Sequence, residues 1–224
     1  MDETPLKLAI ADGATVSALW TGPADADRAF VYAPGAGSSL NDPFGAYAAG
    51  ALAERDIACL RFQFPYAEAG RSLPDRPPVL EATWRAAIET ARPRSKRLVV
   101  GGRSMGGRIA SQVVAAGTPV DGLALFAYPL HPPGRPEQRR DAHLASIAVP
   151  VLFCSGDRDT FATVEELEGV VSMLPAATLH VLAGADHGFN VLKASGRKRE
   201  DVWCEAVEAL LVQLDVIEAA AVRP

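Results

Sequence analysis

Short apolar runs, rich in β-branched residues, alternate along the chain with stretches whose apolar positions recur at helical spacing. "LKLAIA" (6–11) and "TVSALWTG" (15–22) read as an opening pair of strands around the turn "DGA". "RAFVYAPG" (28–35) is a third strand, followed by the helical "FGAYAAGALAERD" (44–56). "IACLRF" (57–62) continues the sheet, and "VLEATWRAAIETAR" (79–92) carries an apolar stripe at helical spacing. "RLVVGG" (97–102) leads into "MGGRIASQVVAAG" (105–117), a helix ending at Gly117. "DGLALFAYP" (121–129), "VPVLFCSG" (149–156) and "ATLHVLAGA" (177–185) supply three further strands. "TVEELEGVVSML" (163–174) is a helix between the last two, and "KREDVWCEAVEALLVQL" (198–214) closes the pattern as an amphipathic helix. Strands alternating with helices predict an α/β fold: a mostly parallel sheet of about seven or eight strands, with helices on both faces.

No repeat, low-complexity linker or change of pattern divides the 224 residues, so residues 1–224 are expected to form a single domain. The composition, 49% hydrophobic and 22% charged, is that of a globular protein. No apolar stretch approaches the ~20 residues that span a bilayer, and "MDETPLKLAI" lacks the pattern of a signal peptide, so no membrane partner is expected. A net charge of −5 gives no reason to expect nucleic acid, and Arg92, Arg94, Lys96 and Arg97 read as a solvated loop. Cys59, Cys154 and Cys204 all fall in apolar-periodic segments and read as buried free thiols of a cytoplasmic protein.

The chemistry concentrates in "GGRSMGGR" (101–108), a glycine-rich turn between a strand and a helix. A phosphate-cradling G-x-x-x-x-G-K-[ST] fails because Arg108 and Ile109 stand where Lys and Ser/Thr are needed. The dinucleotide pattern G-x-G-x-x-G is missing both here and in "PGAGSS". Gly102-Arg103-Ser104-Met105-Gly106 satisfies G-x-S-x-G at every defined position. In that motif a strained turn lifts a serine hydroxyl clear of the sheet and turns the first helical amides toward the reacting atom.

A serine nucleophile needs a base and a group to orient that base. Of the four histidines, His131 lies in a proline-rich stretch, His143 in a short polar segment and His180 inside a strand. His187, in "GADHGFN", directly follows a strand whose end shares a sheet edge with the loop carrying Ser104. It is the candidate base. For the acid, "VLFCSGDRDTF" offers both Asp157 and Asp159 in the loop after the preceding strand. Asp186 adjoins His187 too closely for an easy side-chain pairing.

Serine in G-x-S-x-G, an acid after a later strand and a histidine after the last, in that order, resembles the α/β-hydrolase superfamily. The resemblance extends from "RAFVYAPGAG" to the final helix and implies the α/β-hydrolase fold. Members commonly carry G-x-x-D, which falls here on Gly156 to Asp159 and favours Asp159 over Asp157. They usually carry His-Gly-x after an early strand; this chain has Pro34-Gly35-Ala36 there. The resemblance thus implies an oxyanion hole from the main-chain amides of Ala36 and Met105. Only residues 130–148 separate two strands between which many relatives insert a helical cap, so no cap domain is expected. The layout is similar to the dienelactone-hydrolase-like branch and to small carboxylesterases, although true dienelactone enzymes use a cysteine where this chain has Ser104. "RFQFPYAEAGR" and "DRPPVLEATWR" also resemble a set of small α/β-hydrolase-like proteins, a likeness that names no substrate.

Loops on the same edge would line a substrate site. Arg103 and Arg71 are placed to meet an anion, although Arg103 could equally make a structural ion pair, and Tyr66, Phe161 and Phe189 are placed to form the walls. Phe64 and Tyr128 share that edge; any such aromatic could equally seal the core. The arginines of "GRPEQRRD" are balanced by Glu137 and Asp141 and draw no assignment. No metal-ligand spacing occurs, and serine hydrolysis needs no cofactor. The expected activity is hydrolysis of a small-molecule ester or thioester through an acyl-enzyme. A peptidase or acyltransferase would use the same triad, and the competing class is a non-catalytic scaffold binding a protein or small ligand. The closing helix, with Val202, Trp203, Val207, Leu210, Leu211 and Leu214, is expected to pack on the sheet, a dimer face being the alternative.

Overall fold

The computed structural model describes residues 3–10 and 13–222. Its strands are β1 (Glu3–Ala9), β2 (Thr15–Thr21), β3 (Ala26–Ala33), β4 (Ala58–Phe62), β5 (Ser95–Arg103), β6 (Gly122–Phe126), β7 (Val151–Gly156) and β8 (Ala177–Leu182). The helices are α1 (Pro43–Ala53), α2 (Pro65–Glu68), α3 (Pro77–Ala91), α4 (Met105–Ala115), α5 (Val164–Ser172) and α6 (Arg199–Val222). One eight-stranded sheet has the order β1-β2-β4-β3-β5-β6-β7-β8. β2 runs antiparallel to both β1 and β4, and every other neighbouring pair is parallel. The expected turn "DGA" reaches Asp12, and the expected first strand reaches Ala11; both lie outside the described residues.

The pleat sends successive side chains to opposite faces, and the sequence uses both. Phe30, Tyr32, Val99 and Phe126 point to a layer filled by Phe44, Ala48 and Leu52 of α1 and Val202, Leu210 and Leu214 of α6. Val31, Val100 and Leu125 point to the other layer, packed by Trp84 of α3, Ile109 and Val113 of α4, and Leu167 of α5. Each large side chain so buried contributes roughly 1.5–3 kcal/mol. The run of fully buried residues in β4, β6 and β7 follows from a sheet covered twice. Residues 127–150 link β6 to β7 with one short 3-10 turn and no cap domain.

Helix ends follow local chemistry. Pro77 and Pro78 open α3 two residues earlier than the periodic pattern alone, because a proline costs nothing where amides have no helical acceptor. Thr163 and Glu166 form a reciprocal capping box at α5. α1 stops at Ala53, and Asp56 takes a left-handed φ of 56° before β4. α2 was not legible as a helix: four residues are too few to show a period.

Two expectations fail away from the site. Lys96 and Arg97 belong to β5 and pair with Asp27 at 2.6 Å and Asp121 at 3.2 Å, while Arg94 covers the Trp20 ring. Cys204 is exposed on α6, although Cys59 and Cys154 are buried as expected.

Candidate active site

The carboxyl ends of β3, β5, β7 and β8 converge at one edge of the sheet, and each delivers one part of the site. Between β5 and α4 the chain turns on Ser104, whose φ of 52° and ψ of −118° are unusual for a residue with a side chain. The two motif glycines answer to a single neighbour. A Cβ on Gly102 would sit 2.1 Å from the Ala33 carbonyl oxygen at the end of β3, and one on Gly106 would sit 2.2 Å from the same atom. Any larger residue at either place would push β3 away from the turn. The turn is pinned from two further sides. Ser104 N–H donates to Phe126 O at 2.8 Å, and the Trp84 indole of α3 donates to Gly106 O at 3.0 Å.

His187 Nε2 lies 2.9 Å from Ser104 Oγ, and His187 Nδ1 lies 2.8 Å from Asp159 Oδ2. The other carboxylate oxygen of Asp159 accepts from Phe161 N–H at 2.8 Å. The Asp159 side chain is wholly buried, whereas the His187 ring keeps 23% exposure toward the cavity. An acceptor-only carboxylate on Nδ1 fixes the tautomer that leaves the Nε2 lone pair for the serine proton. Phe161 also stacks on the imidazole, with ring centroids 4.0 Å apart.

The loops that hold Asp159 and His187 are tied together. A Cβ on Gly156 would fall 2.0 Å from Ala185 O, so the glycine of G-x-x-D is what lets the two loops meet. Arg158 N–H donates to that same Ala185 carbonyl at 3.0 Å. Asp157 is turned outward, accepting from Gly184 N–H at 2.8 Å. Asp186 accepts from Gly188 N–H and Asn190 N–H, both at 2.8 Å, closing the turn that carries His187.

The other histidines are engaged elsewhere. His131 meets Glu166 at 3.1 Å, and its pKa is raised by its bond to the Pro132 carbonyl and by Glu166, against the effect of burial. His180 meets Glu205 at 2.9 Å. His143 meets Ser111 Oγ at 2.8 Å, with burial holding its pKa below the ordinary value. Among the described residues, no three His, Cys, Asp or Glu side chains gather to hold a metal ion.

Ser104 and His187 open into a cavity of about 520 Å³. Gly35 and Ala36, from the loop after β3, form part of its wall; a Cβ on Gly35 would come 3.5 Å from Ser104 Cβ. Met105 is the first residue of α4, where helix amides have no intrahelical acceptor. Leu80, Pro77 and Pro129 supply an apolar side.

Of the pocket residues named from sequence, Arg103 and Phe161 line this cavity, and three others do not. Tyr66 is sealed in the core, stacked against Phe64 at 6.2 Å. Phe189, at a left-handed φ of 62°, turns into the opposite core layer and packs edge-on against Phe44. Arg71 is exposed, and its guanidinium is held by Asp75 at 2.7 Å. Tyr128 and Phe64 are also buried. Apolar aromatic surface leaves water wherever a core is in reach, and sheet-edge position alone does not reveal which way a ring turns.

Arg108 and Arg140 line the cavity without having been singled out. The signal for Arg108 was its place four residues after the serine, one helical turn along α4; its N–H donates to Ser104 O at 3.0 Å. Arg140 had no local signal. Its backbone is carried to the site by Tyr128, whose hydroxyl donates to Arg140 O at 2.7 Å, and by its own N–H donating to Leu130 O at 2.8 Å.

A family model described as an alpha/beta hydrolase domain matches residues 26–214. The fold is similar to that of Est1E from Butyrivibrio proteoclasticus, at 14% identity and a TM-score of 0.74 over 94% of this chain and 99% of that one. A serine hydrolase without a lid from Xanthomonas campestris is 20% identical, with a TM-score of 0.71 over 96% of each chain. An esterase domain from Rhodothermus marinus is 14% identical, with a TM-score of 0.69 over 95% of this chain and 98% of the other. At such identities the likeness concerns the fold.

Proposed function

Because the chain belongs to the alpha/beta hydrolase family, we propose that it is a serine hydrolase cleaving an ester or thioester of a small molecule through an acyl-enzyme. The observation that carries this reading is the unbroken chain Ser104 Oγ to His187 Nε2 at 2.9 Å and His187 Nδ1 to Asp159 Oδ2 at 2.8 Å, open to a cavity. The esterase domain and the lidless serine hydrolase among proteins of similar fold lend it support.

In this reading Ser104 Oγ attacks the carbonyl carbon while His187 Nε2 takes its proton. Asp159, buried beside Nδ1, stabilises the resulting imidazolium and keeps the ring aimed. Negative charge develops on the carbonyl oxygen, where the Met105 amide at the start of α4 and the Ala36 amide serve as donors. One such donor is typically worth about 3–4 kcal/mol of barrier. The imidazolium then gives its proton to the leaving oxygen or sulfur as its bond to the carbonyl carbon breaks, and the alcohol or thiol departs. An acyl group remains on Ser104, and water activated by His187 releases it as the acid. The absence of a cap between β6 and β7 leaves the cavity approachable by a small substrate. Three free thiols accord with a reducing cytoplasmic setting.

Pre-steady-state hydrolysis of 4-nitrophenyl acetate tests the reading. A burst of nitrophenol near one equivalent of enzyme, lost in Ser104→Ala, is the expected result. Turnover without any dependence on Ser104, or none by folded protein, contradicts it.

A further inference from the structure

The cavity at Ser104 is lined by three arginines, Arg103, Arg108 and Arg140. Among the described residues, neither Arg108 nor Arg140 has a carboxylate partner. Arg108 makes only a long contact of 3.5 Å with Gln112 Oε1. The nearby acids are committed elsewhere. Asp141 accepts from Arg139 Nε at 2.7 Å, and Glu166 faces His131 at 3.1 Å and Arg139 at 3.7 Å. Asp75, the only carboxylate lining the cavity among the described residues, is ion-paired with Arg71 through Oδ1, while its buried Oδ2 has no hydrogen-bond partner there. Arg103 Nε is buried and has no hydrogen-bond partner among the described residues. Burial, and then the charge of Arg140, hold the Arg108 pKa below its ordinary value, so two like charges share one wall at a cost to the folded chain. Uncompensated, partly buried guanidinium groups destabilise a fold unless an anion completes them.

Resting on the serine-hydrolase reading, the geometry points to a substrate whose non-reacting arm ends in an anion, a carboxylate or a phosphate, held by Arg108 and Arg140. Leu80, Pro77, Pro129 and Phe161 would take its apolar portion. Guanidinium forks suit either oxyanion, because two parallel N–H donors match two oxygens of one group. Arg108 lies one helical turn from the nucleophile and would orient the arm relative to the attacked carbonyl.

Two matched substrate pairs test this and separate the two sources of the anion. On the acyl side, 4-nitrophenyl hemiglutarate is compared with 4-nitrophenyl valerate. On the thiol side, a butyryl thioester of phosphopantetheine is compared with that of pantetheine, which differs only by the phosphate. We expect kcat/KM for at least one anionic member to exceed its neutral partner at least tenfold, and Arg108→Gln and Arg140→Gln to cut that ratio at least fivefold. Arg139→Gln, whose arginine is paired with Asp141, controls for general loss of positive charge and should leave the ratio unchanged. Ratios below tenfold for both pairs, or ratios that Arg108→Gln and Arg140→Gln do not cut fivefold, overturn the proposal while leaving the hydrolase standing. If the folded protein turns over none of the four and Ser104 takes no neutral fluorophosphonate, the hydrolase reading fails. Calorimetric titration with glutarate and inorganic phosphate then decides the anion site alone. Binding lost in both variants upholds it, and no binding, or binding that both variants retain, overturns it.

Discussion

Asp159 Oδ2 and His187 Nδ1 lie 2.8 Å apart with the carboxylate fully sealed from solvent, while Asp157, two residues earlier, points outward to Gly184 N–H. The loop after β7 therefore presents two aspartates of different kinds. One is buried on the imidazole, and the other closes a turn at the surface.

Asp159→Asn should lower kcat by about 10³–10⁴-fold, since an amide can donate to Nδ1 and stabilise the wrong tautomer. Asp157→Asn should stay within about threefold, losing only part of a surface bond. Steady-state hydrolysis of a neutral nitrophenyl ester by the two variants checks this, and equal losses would contradict the assignment.

The backbone at Ser104 stores strain, with a φ of 52° on a residue that has a Cβ. Ser104→Ala and Ser104→Gly both remove the hydroxyl, but only glycine relaxes the turn. Ser104→Gly should be the more stable of the two by about 1 kcal/mol, the reverse of the usual cost of glycine. Urea unfolding of both variants measures the difference.

Thiol reactivity should separate the cysteines. Burial pushes the Cys59 thiol up to about 12 and raises that of Cys154 as well, whereas Cys204 is exposed on α6. Ellman's reagent at pH 8 should find one fast thiol in the native protein and three after unfolding. A native count of zero or three would contradict this arrangement.

Glu68 ties the end of α2 to β2. Burial alone would raise its pKa, but bonds from Gln63, from the backbone and hydroxyl of Ser17, and from Lys7 outweigh this and hold it at about 2. A carboxylate depressed in the folded state stabilises fully above its unfolded value of 4.5, and that stability is lost as pH falls toward about 2. With the side chain 27% exposed, the contribution is about 2 kcal/mol after allowing for solvent screening. Glu68→Gln should therefore be about that much less stable at pH 7, with the gap closing by pH 2. A gap independent of pH contradicts the account.

Much of this was legible in the sequence, because the signals are local. β-branched runs and helical periods located the eight strands and the longer helices, and G-x-S-x-G marked a turn whose glycines are dictated by the Ala33 carbonyl. His187 stood out from its place after β8, whereas the place after β7 left Asp157 and Asp159 both open, and only the resemblance to G-x-x-D favoured Asp159. Pocket walls were read less well. Tyr66 and Phe189 follow strands at the right edge, yet each ring turns into a core layer, a choice made by packing partners distant in sequence. Arg140 reaches the site through backbone bonds to Leu130 and from Tyr128, which no spacing rule encodes. Cys204 sits in an apolar-periodic helix but on its outer side, one residue beyond the buried Trp203.

The central claim is that Ser104 is a nucleophile activated by His187. Intact-mass measurement after treatment with a fluorophosphonate, followed by peptide mapping, tests it most directly. The account predicts one adduct, on Ser104, formed by the wild type, absent in Ser104→Ala, and slowed at least a hundredfold in His187→Ala. An unlabelled wild-type protein that is demonstrably folded, or an adduct on another residue, would contradict it.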